Sequence, residues 1–456
     1  MGLQARVILL GAILALLLSS PAVNARTWRI TPDGSGDAPT IQAGIDSAEA
    51  GDDVVLAAGT YSWSSQGASG SSMVRMKPGI TLKSEVGPDV TILDAEFSTR
   101  QARGRVILCH NVSDVRIEGL TIQNGFAQDF TDPPGLLVLG RGGGIYAFGN
   151  SRPTISNCII RNNLTDMNGP GGGIASEGEA FIEDCQVYDN IAGEDGGGGG
   201  IVLSSGRITR CEVRNNRAPG DGAAAAGGIA TGGIVEDCLV EGNRASGPFG
   251  ATGGGVALSR GGSLIRCMVV GNRSSALLGA PGGGVVVGNG RSAITDCIFI
   301  ANVSAGGLGG AISVSSDGEA IITGCTLIAN RAEGPSGPVG GIEMFGGGSV
   351  SNTIIAWSEG AACSGNGTYT CTNLYGNTGG DTICGIDGGG NFSADPQFCA
   401  ADPAGSRNVA IQSDSPCAPE NHPGGGTCGL IGFGTIGCGT VDVEERSWSG
   451  VKSLYR

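Results

Sequence analysis

The chain has 456 residues, 86 of them glycine, and a formal net charge of −15. That much glycine excludes a mainly helical protein, because each glycine inside a helix costs roughly 1 kcal/mol relative to alanine. The acidic balance, 42 Asp and Glu against 27 Lys and Arg, excludes a nucleic-acid partner and suits an extracellular surface.

Residues 1–25 read as a secretory signal peptide: Arg6, an apolar run from Val7 to Leu18, and a small-residue site ending at Ala25. The run is too short for a membrane span, and no later stretch is longer, so no transmembrane segment is expected after signal removal. The expected destination is secreted, in the extracellular space or at the cell surface.

From Pro39 to Ala48 the spacing predicts a short helix with Ile41, Ile45 and Ala48 on one face and proline in its first turn. A coil of stacked turns has an open end that exposes its core, and a small amphipathic helix covers it. Gly51 to Leu56 and Gly59 to Tyr61 then read as a first turn of strand. This helix, followed by Gly51-Asp52 and Gly59-Thr60-Tyr61, resembles the N-terminal cap of secreted right-handed parallel β-helix proteins of the pectate-lyase-like superfamily. The resemblance implies a right-handed coil and a superfamily that includes polysaccharide lyases and hydrolases. Gly79 to Leu82, Val90 to Leu93 and Val115 to Ile122 continue the strands.

Between Gly142 and Phe345 one phrase recurs. A glycine cluster and a small aliphatic residue open each copy, at Ile145, Ile174, Ile201, Ile229, Val256, Val285, Ile312 and Ile342. A second phrase, apolar-x-x-Cys-x-apolar-x-x-Asn, follows in the first seven, with cysteines at 158, 185, 211, 238, 267, 297 and 325. A near-fixed period of this size in β-branched residues is the mark of a solenoid. The phrases also resemble repeats of chlamydial polymorphic outer-membrane proteins, without that family's C-terminal barrel. Ile155, Ile182, Ile208, Val235, Leu264, Ile294 and Ile322, three places before the cysteine, must face inward, as must Ile160, Val187, Val213, Val240, Val269, Phe299 and Leu327, two places after it. The residue just before each cysteine is polar or glycine and reads as a left-handed corner between two short strands. With the glycine-led strand, each rung then has three strands.

Stacking in register has consequences for every column. Asp184, Arg210, Asp237, Arg266 and Asp296 alternate in sign and face one another about 4.8 Å apart. The cysteines, flanked by aliphatics, pack as small apolar core, and a file spaced by the rung height does not converge on a metal. The asparagines at 163, 190, 216, 243, 272, 302 and 330 read as a ladder of stacked amides; burial there blocks the glycosylation patterns that begin at 163, 272 and 302. Next to that ladder, Arg217, Arg244 and Arg273 occupy consecutive rungs, with Arg331 further on. Such a row repels itself unless an anion lies along it, so a uronate-containing polysaccharide is the ligand it suits; pairing with loop acids such as Asp221 is the alternative. On the cysteine strand, Met268, Val270, Ile298, Ile300, Thr326 and Ile328 point outward as an apolar strip. The C-terminal segment is expected to cover it, with self-association as the other possibility.

Beyond Trp357 the period is lost, and seven cysteines crowd between Cys363 and Cys438 in phrases that resemble the closing rungs of bacterial secreted β-helix proteins. A disulfide-bearing cap is expected, with at least one cysteine lacking a partner inside it. The expected division is therefore a signal at 1–25, a β-helix with its N-terminal cap at 26–356, a Cys-rich cap at 357–440 and a polar tail at 441–456.

Catalysis is poorly provided for. Lyase chemistry needs a base beside a group that neutralises the uronate, and hydrolysis needs paired carboxylates. The only lysines are Lys77, Lys83 and Lys452; His110 and His422 lie far apart, and Tyr146, Ala175, Val202, Ala230, Ala257, Val286, Ser313 and Glu343 make a mostly small, apolar outer face. No catalytic residue, metal or cofactor is assigned. The sequence reads as a secreted, non-catalytic β-helix for surface attachment or contact with acidic polysaccharide, ahead of a polysaccharide lyase or glycosidase and of a structural envelope component.

Overall fold

The structure is a computed structural model that describes residues 25–438 except 98–103, 133–134, 195, 221–225, 248–252, 277–280, 335–336, 424 and 426–427. The expected signal, apart from Ala25, and the tail at 441–456 lie outside the described residues. The rest coils as an all-β parallel solenoid with three walls.

The first wall is one 23-stranded sheet holding both the glycine-led strands and the strands that precede the cysteine corner. In two turns these merge into single strands, Ile174–Glu183 and Ile201–Thr209. The second wall has twelve strands, from Gly59–Ser62 to Asn373–Tyr375. The third wall begins after the asparagine, in the five strands Arg217–Pro219, Arg244–Gly247, Arg273–Ala276, Val303–Ser304 and Arg331–Ala332. A wall there was not foreseen, because its strands are two to four residues long and rich in small side chains.

The turns stack without a slip in the predicted core columns. Ile155 pairs with Ile182, Ile182 with Ile208, Ile208 with Val235, and so on to Ile322; Ile160 leads the parallel series to Leu327. Every member of both columns is 0% exposed. At about 1.5–3 kcal/mol for each fully buried aliphatic side chain, these columns are the main stabilising term of each turn.

One residue makes each corner. The residue before every repeat cysteine, from Asn157 to Gly324, has φ between +48° and +67°. A second corner, which the sequence reading did not pick out, falls just before the asparagine: Asn162, Asp189, Asn215, Gly242, Gly271, Ala301 and Ala329 have φ between +51° and +64°. At the first corner the alternating charges meet. Arg210 grips Asp184 with Nε–Oδ1 and Nη2–Oδ2 contacts of 3.0 and 2.7 Å, and Arg266 grips Asp237 the same way at 2.7 and 3.0 Å.

The two inner files are as expected. Cys158 N–H donates to Cys185 Sγ at 3.4 Å, and the pattern repeats upward to Cys297. Complete burial pushes the Cys185, Cys238 and Cys297 thiols up, so they sit as neutral core groups. In the amide file each Nδ2 donates to the Oδ1 of the next turn, at 2.9–3.0 Å from Asn163 to Asn330. This file explains the glycine clusters. A Cβ on Gly228 would lie 2.6 Å from Gly255 O and 3.0 Å from Asn243 Cγ, so only glycine lets the backbone pass.

Both ends are closed. The helix α1 (Ile41–Ser47), N-capped by Thr40, buries Ile41 and Ile45 against the first turn. At the other end Met268, Val270, Ile298, Ile300 and Ile328 form a second core with Phe398, Val409, Ile411, Cys417 and Ile431, so the C-terminal segment does fold over the apolar strip. Disulfides Cys363–Cys384, Cys371–Cys428 and Cys399–Cys438 staple this region. The odd cysteine is Cys417, buried and accepting from Asn373 Nδ2 at 3.2 Å.

Candidate functional site: the arginine row of the third wall

The amide file fixes the backbone of one residue per turn, so the residue that follows is placed just as firmly. Arg217 therefore stands in register with Arg244, and Arg244 with Arg273; Val303 comes next, then Arg331. Alternation along each strand sends Ala218, Ala245 and Ser274 inward, where they are 0–1% exposed. Arg217, Pro219, Arg244, Ser246, Arg273 and Ser275 face out and line a groove of about 280 Å³.

The row is electrically divided. Arg273 donates to Glu333 at 2.8 and 3.3 Å, and Arg331 reaches the same carboxylate at 2.7 Å and Glu359 at 3.3 Å. The two guanidinium groups hold Glu333 below the usual carboxylate range. Arg217 and Arg244 are exposed, with no carboxylate partner among the described residues; Asp221, the expected loop acid, lies outside them. At about 4.8 Å per rung, two such charges repel by about 1 kcal/mol in water. The open end of the groove is thus a cationic track with planar donor forks.

The other candidates are dispersed. Lys77 Nζ donates to the carbonyls of Asp46 and Ala48 at 2.9 and 2.7 Å, closing the C-terminal end of α1, and Lys83 pairs with Asp53 at 2.7 Å. His110 stacks on Phe148 with centroids 4.3 Å apart, whereas His422 is buried in the C-terminal cap near Phe392. Asp52 is a turn group: its carboxylate accepts from Arg26 N, Glu49 N and Trp28 Nε1, and the backbone bonds lower its pKa. Among the described residues no three His, Cys, Asp or Glu side chains form a metal cluster, and no helix is long and apolar enough to cross a membrane.

The outer face of the glycine-led strands holds a second groove of about 340 Å³, lined by Val202, Ala230, Ala257 and Arg260 among others. In the same column Glu343 is only 4% exposed, and its Oε2 has no hydrogen-bond partner among the described residues. Burial pushes its carboxyl up to about 7 from 4.5. The sequence shows Glu343 as one polar residue on a plain face; nothing in it signals the burial. A raised folded pKa means that the native state holds the proton while the unfolded chain releases it. Stability from this group therefore falls as pH rises from about 4.5 to about 7 and stays low above that. Glu343→Gln is expected to gain about 1–3 kcal/mol at pH 8 and nothing at pH 4, which thermal melts at the two pH values will show.

A family model described as "Right handed beta helix region" matches residues 75–293, which gives the hand of the coil. No curated protein matches the chain. Among solved structures, pectate lyase Pel9A aligns over 91% of this chain and 98% of its own, at 14% identity and a TM-score of 0.47. The PL6 family alginate lyase AlyGC aligns over 83% of this chain at 12% identity and a TM-score of 0.32, and the match spans 54% of the lyase.

Proposed function

We propose that this right-handed β-helix repeat protein works in an oxidising, extracellular setting and holds an acidic polysaccharide along its third wall. The observation that carries the reading is the track of Arg217, Arg244 and Arg273: three guanidinium groups in register on successive turns, two of them without counter-charges among the described residues, over one groove. A flexible polyanion laid along the coil axis offers a carboxylate to each rung and relieves the repulsion between them. Three disulfides support the compartment, since they persist where thiols are not kept reduced.

A second reading, a polysaccharide lyase or glycosidase acting on the same class of polymer, is favoured by Glu343, a buried carboxyl with a near-neutral pKa of the kind acid–base catalysis uses. Both readings are tested together. The protein is titrated with pectate, alginate and chondroitin-like polymers at increasing salt, and the same mixtures are followed in the ultraviolet for unsaturated ends, which a lyase makes, and assayed for new reducing ends, which a glycosidase makes as well. Salt-sensitive binding that drops at least about tenfold in the Arg217→Ala, Arg244→Ala, Arg273→Ala triple variant, with neither new absorbance nor new reducing ends, supports the binding reading. Unchanged binding by the triple variant overturns it. Release of unsaturated ends, abolished by Glu343→Gln, turns the assignment to a lyase. A protein that neither binds nor cleaves is left with the structural envelope role.

A further inference from the structure

Near the N-terminal end of the coil lies a charge that the arginine row does not explain. Arg105 opens the strand Arg105–His110 of the first wall and is 0% exposed, the largest side chain so buried among the described residues. Its guanidinium lies 4.9 Å over the ring of Tyr146, and Nη2 donates to Leu139 O at 2.7 Å. Nε and Nη1 have no acceptor among the described residues.

The surroundings do not neutralise it. Arg75, a like charge that repels Arg105, is paired with Asp132, and Ser71 Oγ donates to the same carboxylate at 2.5 Å, so this acid is already taken. Asp129 acts on Arg105 through space, but its Oδ1 accepts from Gly140 N–H at 2.7 Å. Tyr146 Oη donates to Glu177, which is further occupied by Arg141 at 2.9 Å. A guanidinium taken out of water without a hydrogen-bonded counter-charge costs several kcal/mol, and proteins do not usually leave one so. Val138, in the hairpin of Phe130–Asp132 and Leu136–Val138, packs in one apolar cluster with Tyr146, which brings the hairpin strands against the ring that Arg105 lies over.

We infer that Arg105 is the base of an occluded site for a small monovalent anion, beneath this hairpin and against Tyr146. Nε and Nη1 donate to the anion, and the aromatic face closes one side. The chemistry fits a halide or the carboxylate of a sugar acid, since both are small, singly charged acceptors. Burial also lowers the guanidinium's pKa to about 9, a shift that a bound anion reverses.

The site is tested on the full chain by thermal melts in sodium chloride, sodium acetate and sodium glucuronate, each titrated at an ionic strength held constant with sodium sulfate. The expected result is a melting temperature that climbs to a plateau with one or more of these anions, and a climb that Arg105→Met abolishes. A plateau with chloride alone assigns a halide; one with acetate and glucuronate assigns a carboxylate. The Arg217, Arg244, Arg273 triple variant is expected to keep the plateau, which separates this site from the third wall. Equal responses in Arg105→Met and the unaltered protein, or no saturable rise in either, overturn the inference. If Arg105→Met does not fold, chloride-35 line broadening by the unaltered protein decides: broadening displaced by acetate supports the site, and its absence, together with a lack of any plateau, overturns it.

Discussion

Asn216→Ala is expected to destabilise the coil by about 3–5 kcal/mol, the largest loss from any single truncation of a polar side chain in the repeats. Asn216 is 0% exposed, and its Oδ1 accepts from both the backbone N–H and Nδ2 of Asn190 at 3.0 Å. Its Nδ2 serves Val187 O at 2.9 Å and Asn243 Oδ1 at 3.0 Å. Truncation leaves the Asn190 N–H and the Val187 carbonyl without these partners in a place that water does not reach, and an unmet buried group costs about 1–3 kcal/mol. The glycine cluster amplifies the loss, because Gly200 is packed 2.9 Å, measured to its ideal Cβ position, from Asn216 Nδ2 and has no side chain to fill the gap. Denaturant unfolding, with the exposed Arg152→Ala as reference, measures the effect. A loss no larger than the reference's would mean that the amide file is a consequence of the coil and does not hold it together.

The same file shows why so much of the fold is legible in the sequence. A solenoid forces equivalent residues into equivalent surroundings, so the inward aliphatics, the cysteine file, the amide file and the corner before each cysteine all print themselves as columns. The charge alternation from Asp184 to Asp296 adds a check, since a shift of one turn would place like charges together instead of the Arg210–Asp184 and Arg266–Asp237 pairs. The second corner was less visible because its residues are chemically mixed: Asn162 and Asp189 suggest it, whereas Ala301 and Ala329 do not. The third wall was hidden for a related reason, being built on short stretches such as Arg331–Ala332 in which packing and not propensity makes a strand.

The functional groups divide along the same line. Arg217, Arg244 and Arg273 were visible because the period carries them, although the sequence did not show that Glu333 would claim Arg273 and leave the other two without a carboxylate among the described residues. Glu343 and Arg105 were not visible as buried groups. Arg105 is held by Leu139, which belongs to no repeat, and neither side chain recurs in the neighbouring turns, so no column announces their burial. In a repeat protein the sequence displays what recurs, and the chemistry that departs from the repeat has to be found in space.

The closure of the C-terminal end offers the second large effect. Ile300→Asp is expected to cost about 3–5 kcal/mol and to detach the cap while leaving the coil wound. Ile300 is 1% exposed in the core shared by the second wall and the cap, where a carboxylate has no partner to meet. The polar bonds across this seam include Thr326 Oγ1, which accepts from Phe433 N at 2.8 Å and donates to its carbonyl at 3.2 Å, Asn352, whose Nδ2 donates to Leu430 O at 3.0 Å and whose carbonyl accepts from Gly432 N at 2.7 Å, and the pair of Arg407 with Glu241. They do not offset a charge placed in the apolar strip. Because Cys371–Cys428 still tethers the segment, the cap swings free without leaving, and the wall beneath it becomes accessible. The expected signature is protease cleavage between Phe392 and Cys438 and binding of an apolar dye, with the strand signal in circular dichroism kept. Chromatography on the same variant separates the two roles given to the strip: if the exposed wall finds a second copy, the variant elutes as a dimer. An intact, protease-resistant cap in Ile300→Asp would show that the disulfides, and not the apolar seam, keep this end of the coil closed.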